Sequence, residues 1–238
     1  MIELFKEMID MVIPSFKFPF YAVMILSSII IGCLYIFFSL RKEKMKVKEI
    51  FLFFLLLTIS ALMFGKFFTM VTDHGTKDFL KVGFSSYGGL IGVIFAAICF
   101  EFIVPSEKKI IKYSILSLPL IYSISKIGCT IVGCCGGIPY DGFLAVTYSA
   151  KQNISQFPIQ ALEVISFMIL FLILNKLKNK KSIIYITIVS CAILKFLLDF
   201  LRYEHVNKLF SVNQIFSIIL VVITIIVWII VKRKSVKD

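Results

Sequence analysis

The sequence predicts an all-α integral membrane protein with seven transmembrane helices. Of its 238 residues, 59% are hydrophobic, and the mean hydropathy of +0.97 lies above the range of soluble domains. Seven apolar windows each have roughly the twenty residues that a helix needs to cross a bilayer. Most basic residues lie between these windows, as they do in membrane proteins of defined topology. The net charge of +12 is therefore a topology pattern, and we expect no nucleic-acid partner.

The seven windows are separated by short polar segments. No internal repeat is present, so we expect residues 1–238 to form a single polytopic membrane domain. Residues 1–18 carry charges of both signs and no small-residue cleavage site, and we expect no removable signal peptide. In chain order the windows are 20–40, 50–72, 87–104, 110–132, 159–177, 183–201 and 209–231.

The basic residues also predict the orientation. Loop 41–49 has five, 106–112 has three, 176–181 has four and the tail after Val231 has four, which is sixteen of the 26. With seven spans, all four segments lie on one side of the membrane. Because basic loops stay cytoplasmic, the amino terminus is predicted to be outside and the carboxyl terminus cytoplasmic.

This topology places several charged residues at one level, in the outer half of the membrane. Pairing is expected within the sixth span, where Lys195, Asp199 and Arg202 are four and three residues apart. One interpretation is a set of structural ion pairs that tie helices together. However, cations exceed carboxylates by two, which favours an anionic guest such as a phospholipid headgroup. The cations are Lys66, Lys126, Lys195 and Arg202, and the carboxylates are Glu163 and Asp199.

The segment 125–137 is the least ordinary part of the chain, since it joins a lysine to three cysteines and four glycines. The adjacent Cys134 and Cys135 could form a vicinal disulfide, act as nucleophiles near Lys126, or hold a metal. A metal would need further ligands, and the sequence has only two histidines. We favour simple packing of free cysteines and predict no metal site.

Several stretches together resemble the prolipoprotein diacylglyceryl transferase family. Residues 84–92 (FSSYGGLIG) are similar to its glycine-rich opening of span three, and 126–137 to its signature in a variant with a Gly-Cys-Cys-x-Gly core. Residues 158–163 are similar to its Pro-x-Gln-x-x-Glu element, and 195–202 to its Arg-Phe-x-x-Glu-Phe-x-Arg element. Phe20-Tyr21 fits its aromatic-Tyr pair at span one.

The resemblance implies a multi-pass enzyme of the bacterial plasma membrane. Such enzymes move the diacylglyceryl group of phosphatidylglycerol onto the lipobox cysteine thiol of an exported prolipoprotein. Cations fixed in a site of low dielectric constant suit the departing glycerol phosphate, and no metal or organic cofactor is expected.

The resemblance also implies roles for individual residues. The expected catalytic residues are Lys126, Lys195, Tyr87 and Arg202. The expected substrate-binding residues are Tyr21, Lys66, Gly88, Gly89, Cys129, Gly133, Gly137, Glu163 and Asp199.

The chain departs from the family pattern at several of these positions. Lysine keeps the charge of arginine but loses the planar fork that grips a phosphate. An alternative is therefore a divergent paralogue that binds phospholipid or modifies another acceptor, with or without the parent activity. A small transporter is disfavoured by the absence of a repeat. The departures are Lys126 and Lys195 for arginine, Asp199 for Glu, Tyr87 for His, and Cys129 and Cys135 for Asn and Glu.

Overall fold

The computed structural model describes residues 11–13, 20–72, 85–105, 109–148, 154–203 and 210–237. Within these ranges the chain forms seven helices and three short strands. The helices coincide with the predicted windows, except that the last one continues into the basic tail. They are α1 (Phe20–Lys42), α2 (Val47–Thr72), α3 (Ser86–Ile103), α4 (Lys109–Val132), α5 (Ile159–Lys176), α6 (Ile183–Asp199) and α7 (Val212–Lys237).

Five of the described helices, α1, α2, α4, α5 and α7, are long and apolar enough to cross a membrane. Their outer surfaces carry large apolar side chains that are open to the surroundings, such as Phe51 and Phe67. Such surfaces suit contact with lipid. The chain is thus a multi-pass membrane protein, while the count of seven spans and the orientation stay predictions.

The three strands form a small sheet that the sequence analysis did not predict. Strand β1 (Met11–Ile13) pairs in parallel with β2 (Val146–Tyr148), and β2 pairs antiparallel with β3 (Ser155–Gln156). In register, Val146 lies opposite both Met11 and Gln156. Segments of two or three residues are too short for an alternating pattern to show.

The chain forms two compact units. The first comprises Met1–Ile31 and Leu118–Asp238, and the second comprises Gly32–Ser117. The single polytopic domain stays a prediction.

In the second unit, α2 packs along α3 through glycines. A Cβ on Gly88 would lie 2.9 Å from the Cα of Gly65, and one on Gly92 would lie 2.8 Å from the Cα of Ala61. Both distances are shorter than side chains tolerate. The glycine-rich opening of α3 therefore allows two helix backbones to approach closely.

In the first unit, α6 packs against both α5 and α7. Ile159, Phe167 and Leu198 form a buried apolar cluster between α5 and α6. This packing brings the polar residues of α4, α5 and α6 together.

Candidate functional site

The centre of the site is the carboxylate of Glu163 on α5, whose side chain is fully buried in the first unit. Three cations surround it. Lys126 Nζ on α4 lies 3.0 Å from Oε2, and Lys195 Nζ on α6 lies 3.0 Å from Oε1. Arg202, which follows α6, places Nη2 2.7 Å from Oε1. A buried carboxylate is strongly unfavourable alone, so these cations are needed to keep it in the apolar interior.

Tyr122, one helical turn before Lys126, links the same groups. Its hydroxyl donates a hydrogen bond of 2.8 Å to Glu163 Oε1 and accepts one of 2.5 Å from Lys195 Nζ. Its ring centroid lies 5.2 Å from Lys126 Nζ and 5.0 Å from Lys195 Nζ, within cation–π range. Tyr122 therefore fixes both lysines around the carboxylate.

Arg202 also pairs with Asp199, the second buried carboxylate. Its Nε lies 3.4 Å from Asp199 Oδ1, which confirms the pairing predicted at this spacing, whereas Lys195 contacts Glu163. Ser211 donates a hydrogen bond to Asp199, as does Asn213 over 3.4 Å. Among Lys126, Lys195, Arg202, Glu163 and Asp199, positive charge exceeds negative charge by one.

The backbone around Arg202 is held by the glycines that follow α4. Gly137 forms a β-bridge with Arg202, and the N–H of Tyr203 donates to the carbonyl of Gly136 over 3.1 Å. A Cβ on Gly137 would lie 3.0 Å from the carbonyl carbon of Phe157, so only glycine fits there. The signature segment thus positions the arginine.

The turn after α4 contains two residues in the left-handed region. Gly133 has φ 74° and Cys135 has φ 56°. The ring of Tyr148 covers Gly133, and its hydroxyl donates to the carbonyl of Thr130 over 3.0 Å. Gln160 Nε2 donates to the carbonyl of Cys134 over 2.8 Å. These contacts hold an otherwise unfavourable backbone in place.

This turn brings the three signature cysteines together. The Sγ atoms of Cys129, Cys134 and Cys135 all lie within 4.8 Å of one another. Hydrogen bonds from Cys129 and Cys134 lower the pKa of the Cys135 thiol, and the charges of Lys126 and Arg202 lower it further. Cys129 is buried, whereas Cys135 is exposed.

A cavity of about 400 Å³ adjoins the charged cluster. Arg202 and Cys135 both line it, and Arg202 thus joins the cavity to Glu163. The other lining residues are Gly136, Gly137, Pro139, Ile154, Gln156 and Tyr203.

The first unit brings most of the expected site residues together. Lys126, Glu163, Lys195, Asp199 and Arg202 make the charged cluster.

The remaining expected residues of the first unit lie around the signature turn or on α1. Cys129, Gly133 and Gly137 lie in or next to the turn. Tyr21 lies on α1, where its Cα would be 3.3 Å from a Cβ on Gly128.

Four expected residues lie in the second unit instead. These are Lys66 on α2 and Tyr87, Gly88 and Gly89 on α3, and their part in the site stays a prediction.

The sequence analysis missed Tyr122 and the role of Gln160. Tyr122 lies four residues before Lys126, a spacing that indicates a shared helix face but not the contacts of Tyr122 with Glu163 and Lys195. Gln160 was already present in the Pro-x-Gln-x-x-Glu motif, but its contact with Cys134 depends on tertiary structure.

Together, the apolar helices and the buried charged cluster beside a cavity define a multi-pass membrane protein with a charged group in its interior. Buried ionisable residues in apolar helices are typically functional. The model of the family described as prolipoprotein diacylglyceryl transferase matches residues 8–230. The chain therefore belongs to this family of transferases. Comparison with curated proteins finds no match.

Proposed function

We propose that the protein transfers the diacylglyceryl group of phosphatidylglycerol to the lipobox cysteine thiol of exported prolipoproteins, at the bacterial plasma membrane. The observation that carries this proposal is the cation-rich cluster around Glu163, with Arg202 reaching the adjoining cavity. Family membership supports the class of reaction, and the cluster supports an anionic donor.

In the proposed reaction, the acceptor thiol gives up its proton to water, and the resulting thiolate attacks the glyceryl carbon that carries the phosphate. A C–S bond forms, the C–O bond breaks, and glycerol phosphate leaves with its electron pair. Negative charge thus increases on the departing phosphate. Cations already fixed around the site stabilise that charge without further reorganisation.

Each cation has a distinct part in this proposal. Arg202 lines the cavity and offers a planar guanidinium to the phosphate. Lys126 and Lys195 act as point charges behind it, held by Glu163 and Tyr122. No role is assigned to the three cysteines here.

Replacement of Lys126 tests the proposal. Lys126→Ala removes a cation from the centre of the cluster, and we expect activity to fall by about 100-fold or more. Lys126→Arg keeps the charge and should retain activity within about tenfold. The measurement is transfer of labelled diacylglycerol from phosphatidylglycerol to a lipobox peptide in proteoliposomes.

Lys112→Ala provides the matched control. Lys112 lies on the same helix, but it pairs with Glu43 at 3.5 Å, in the second unit. Lys112→Ala should therefore leave diacylglyceryl transfer almost unchanged. Wild-type activity in Lys126→Ala would show that Lys126 takes no part in the site. A wild-type protein that retains labelled phosphatidylglycerol without transferring it would favour the lipid-binding paralogue.

A further inference from the structure

The three signature cysteines form a group with the composition of a metal site. Their sulfurs lie within 4.8 Å of one another, and each thiol is within hydrogen-bonding reach of the other two. Zinc bound tetrahedrally with Zn–S bonds near 2.3 Å places its sulfurs about 3.8 Å apart. Each distance between two sulfurs would have to shorten by about 1 Å at most to reach that geometry.

The backbone is arranged to produce this convergence. Adjacent side chains normally point in different directions, so two neighbouring cysteines rarely face a third one together. Here Cys135 has φ 56°, a conformation that non-glycine residues rarely adopt. The convergence of three sulfurs in this turn favours a shared ligand over simple packing of small apolar residues.

Neighbouring contacts hold the turn in this form. Gln160 is almost fully buried and donates to the carbonyl of Cys134, while Tyr148 packs over Gly133. The three sulfurs are thus preorganised, which lowers the free-energy cost of gathering ligands around an ion.

We propose that Cys129, Cys134 and Cys135 bind one zinc ion as a three-thiolate site with an open fourth position. Binding releases three thiol protons and involves no change of oxidation state. No metal was predicted from the sequence, because two histidines alone offered few further ligands. The structure supplies instead a third sulfur, brought by the turn to the other two.

The donor set and the local charge favour this occupant. Among the described residues the group holds sulfur alone, which suits thiophilic ions such as Zn²⁺ and Cu⁺. Three thiolates around Zn²⁺ carry a net charge of −1, which offsets the single excess positive charge of the cluster around Glu163. Three thiolates around Cu⁺ would carry −2 even before a fourth ligand binds, which exceeds that charge.

The location of Cys135 suggests which group would be the fourth ligand of the zinc ion. Cys135 lines the cavity beside Arg202, so the ion would lie at the edge of the space assigned to substrate. A thiol that coordinates zinc is deprotonated. The acceptor thiol could thus be activated as the fourth ligand, a role that rests on the proposed function, whereas the metal site itself does not.

The direct test is metal binding by the purified, reduced full-length protein. After equilibration with Zn²⁺ and removal of excess ion, mass spectrometry should find about one zinc per chain. Co²⁺ in its place should give an intense thiolate-to-cobalt charge-transfer band. Cys134→Ser and Cys135→Ser should each weaken binding by about tenfold or more.

Cys191→Ser is the matched control, since Cys191 lies in the same unit but outside the group. It should bind zinc like the wild type. Failure of the reduced wild-type protein to retain zinc, or equal retention by Cys134→Ser, would overturn the site. Preferential retention of copper over zinc would overturn the choice of ion.

A second readout separates this proposal from the proposed function. Addition of a lipobox peptide thiol should shift the cobalt band, and a serine-substituted peptide should not. Zinc binding without diacylglyceryl transfer would contradict the proposed function alone. Full transfer by a metal-free protein would contradict activation of the acceptor by zinc.

Discussion

At the scale of single residues, Glu163 determines how the charged cluster is built. One carboxylate neutralises part of the charge of three cations, of which one lies on α4, one on α6 and one just after α6. Substitution at the centre of such a site is therefore more damaging than substitution at its periphery. Loss of one cation leaves a smaller cluster, whereas loss of the carboxylate leaves like charges buried together.

We therefore expect Glu163→Gln to destabilise the protein severely. Breaking a buried ion pair costs about 3–5 kcal/mol, because the partner charges remain uncompensated. The measurement is thermal or denaturant unfolding in detergent micelles. Asp141→Asn, which changes an exposed carboxylate of the same unit, should alter stability by less than about 0.5 kcal/mol. Equal stability of Glu163→Gln and the wild type would show that the three cations do not depend on Glu163.

The sequence predicted the charges of the site but not the uncharged residues that arrange them. Lys126, Glu163, Lys195 and Arg202 were identifiable because a charge within an apolar window needs an explanation. Tyr122 was not, since a tyrosine in such a window is ordinary. Its role depends on three helices meeting, which a pattern within one helix does not encode.

At the scale of elements, the length and apolar character of the windows predicted the helices, whereas the short strands and the signature turn were not predicted. A window of about twenty apolar residues has few alternatives in a membrane, because backbone groups must be satisfied within the helix. The bridge between Gly137 and Arg202 joins residues far apart in sequence and left no local pattern.

The turn between α1 and α2 makes a pH-dependent contact within the second unit. Tyr113 donates a hydrogen bond of 2.8 Å to Glu43 Oε1, and Lys109 and Lys112 lie within 4 Å of its carboxylate. The hydrogen bond from Tyr113 lowers the pKa of Glu43 below its ordinary 4.5, and the two lysines lower it further. A carboxyl group whose pKa is lower in the folded state stabilises that state at higher pH.

We therefore expect Glu43→Gln to reduce stability near neutral pH by about 1 kcal/mol, since the pair is partly exposed. The difference from the wild type should shrink as the pH falls below 4.5 and the wild-type carboxyl becomes protonated. Unfolding curves at several pH values provide the measurement. Glu49→Gln changes a carboxylate that pairs with the exposed Lys46 at 3.9 Å, and it should show little effect throughout. A difference for Glu43→Gln that persists at low pH would contradict the ionic contribution.

At the scale of the whole molecule, the proposed function depends on which side of the membrane the charged cluster faces. An exported acceptor can reach Lys126, Lys195 and Arg202 only if they lie in the outer half of the membrane. The basic loops predict that this half lies opposite the cytoplasm, but the helices alone carry no direction.

Cysteine labelling in intact cells tests this orientation directly. Cysteines introduced at Lys77 and Gln152, which lie outside the described residues and between predicted spans, should react with an impermeant maleimide in a background cleared of reactive native thiols. Cysteines at Lys44 and Lys180, in two of the basic segments, should react only after the membrane is breached. The reverse pattern would place the cluster in the cytoplasmic half, beyond the reach of exported prolipoproteins. The cluster would still suit a phospholipid phosphate, but an acceptor on the cytoplasmic side would then be required.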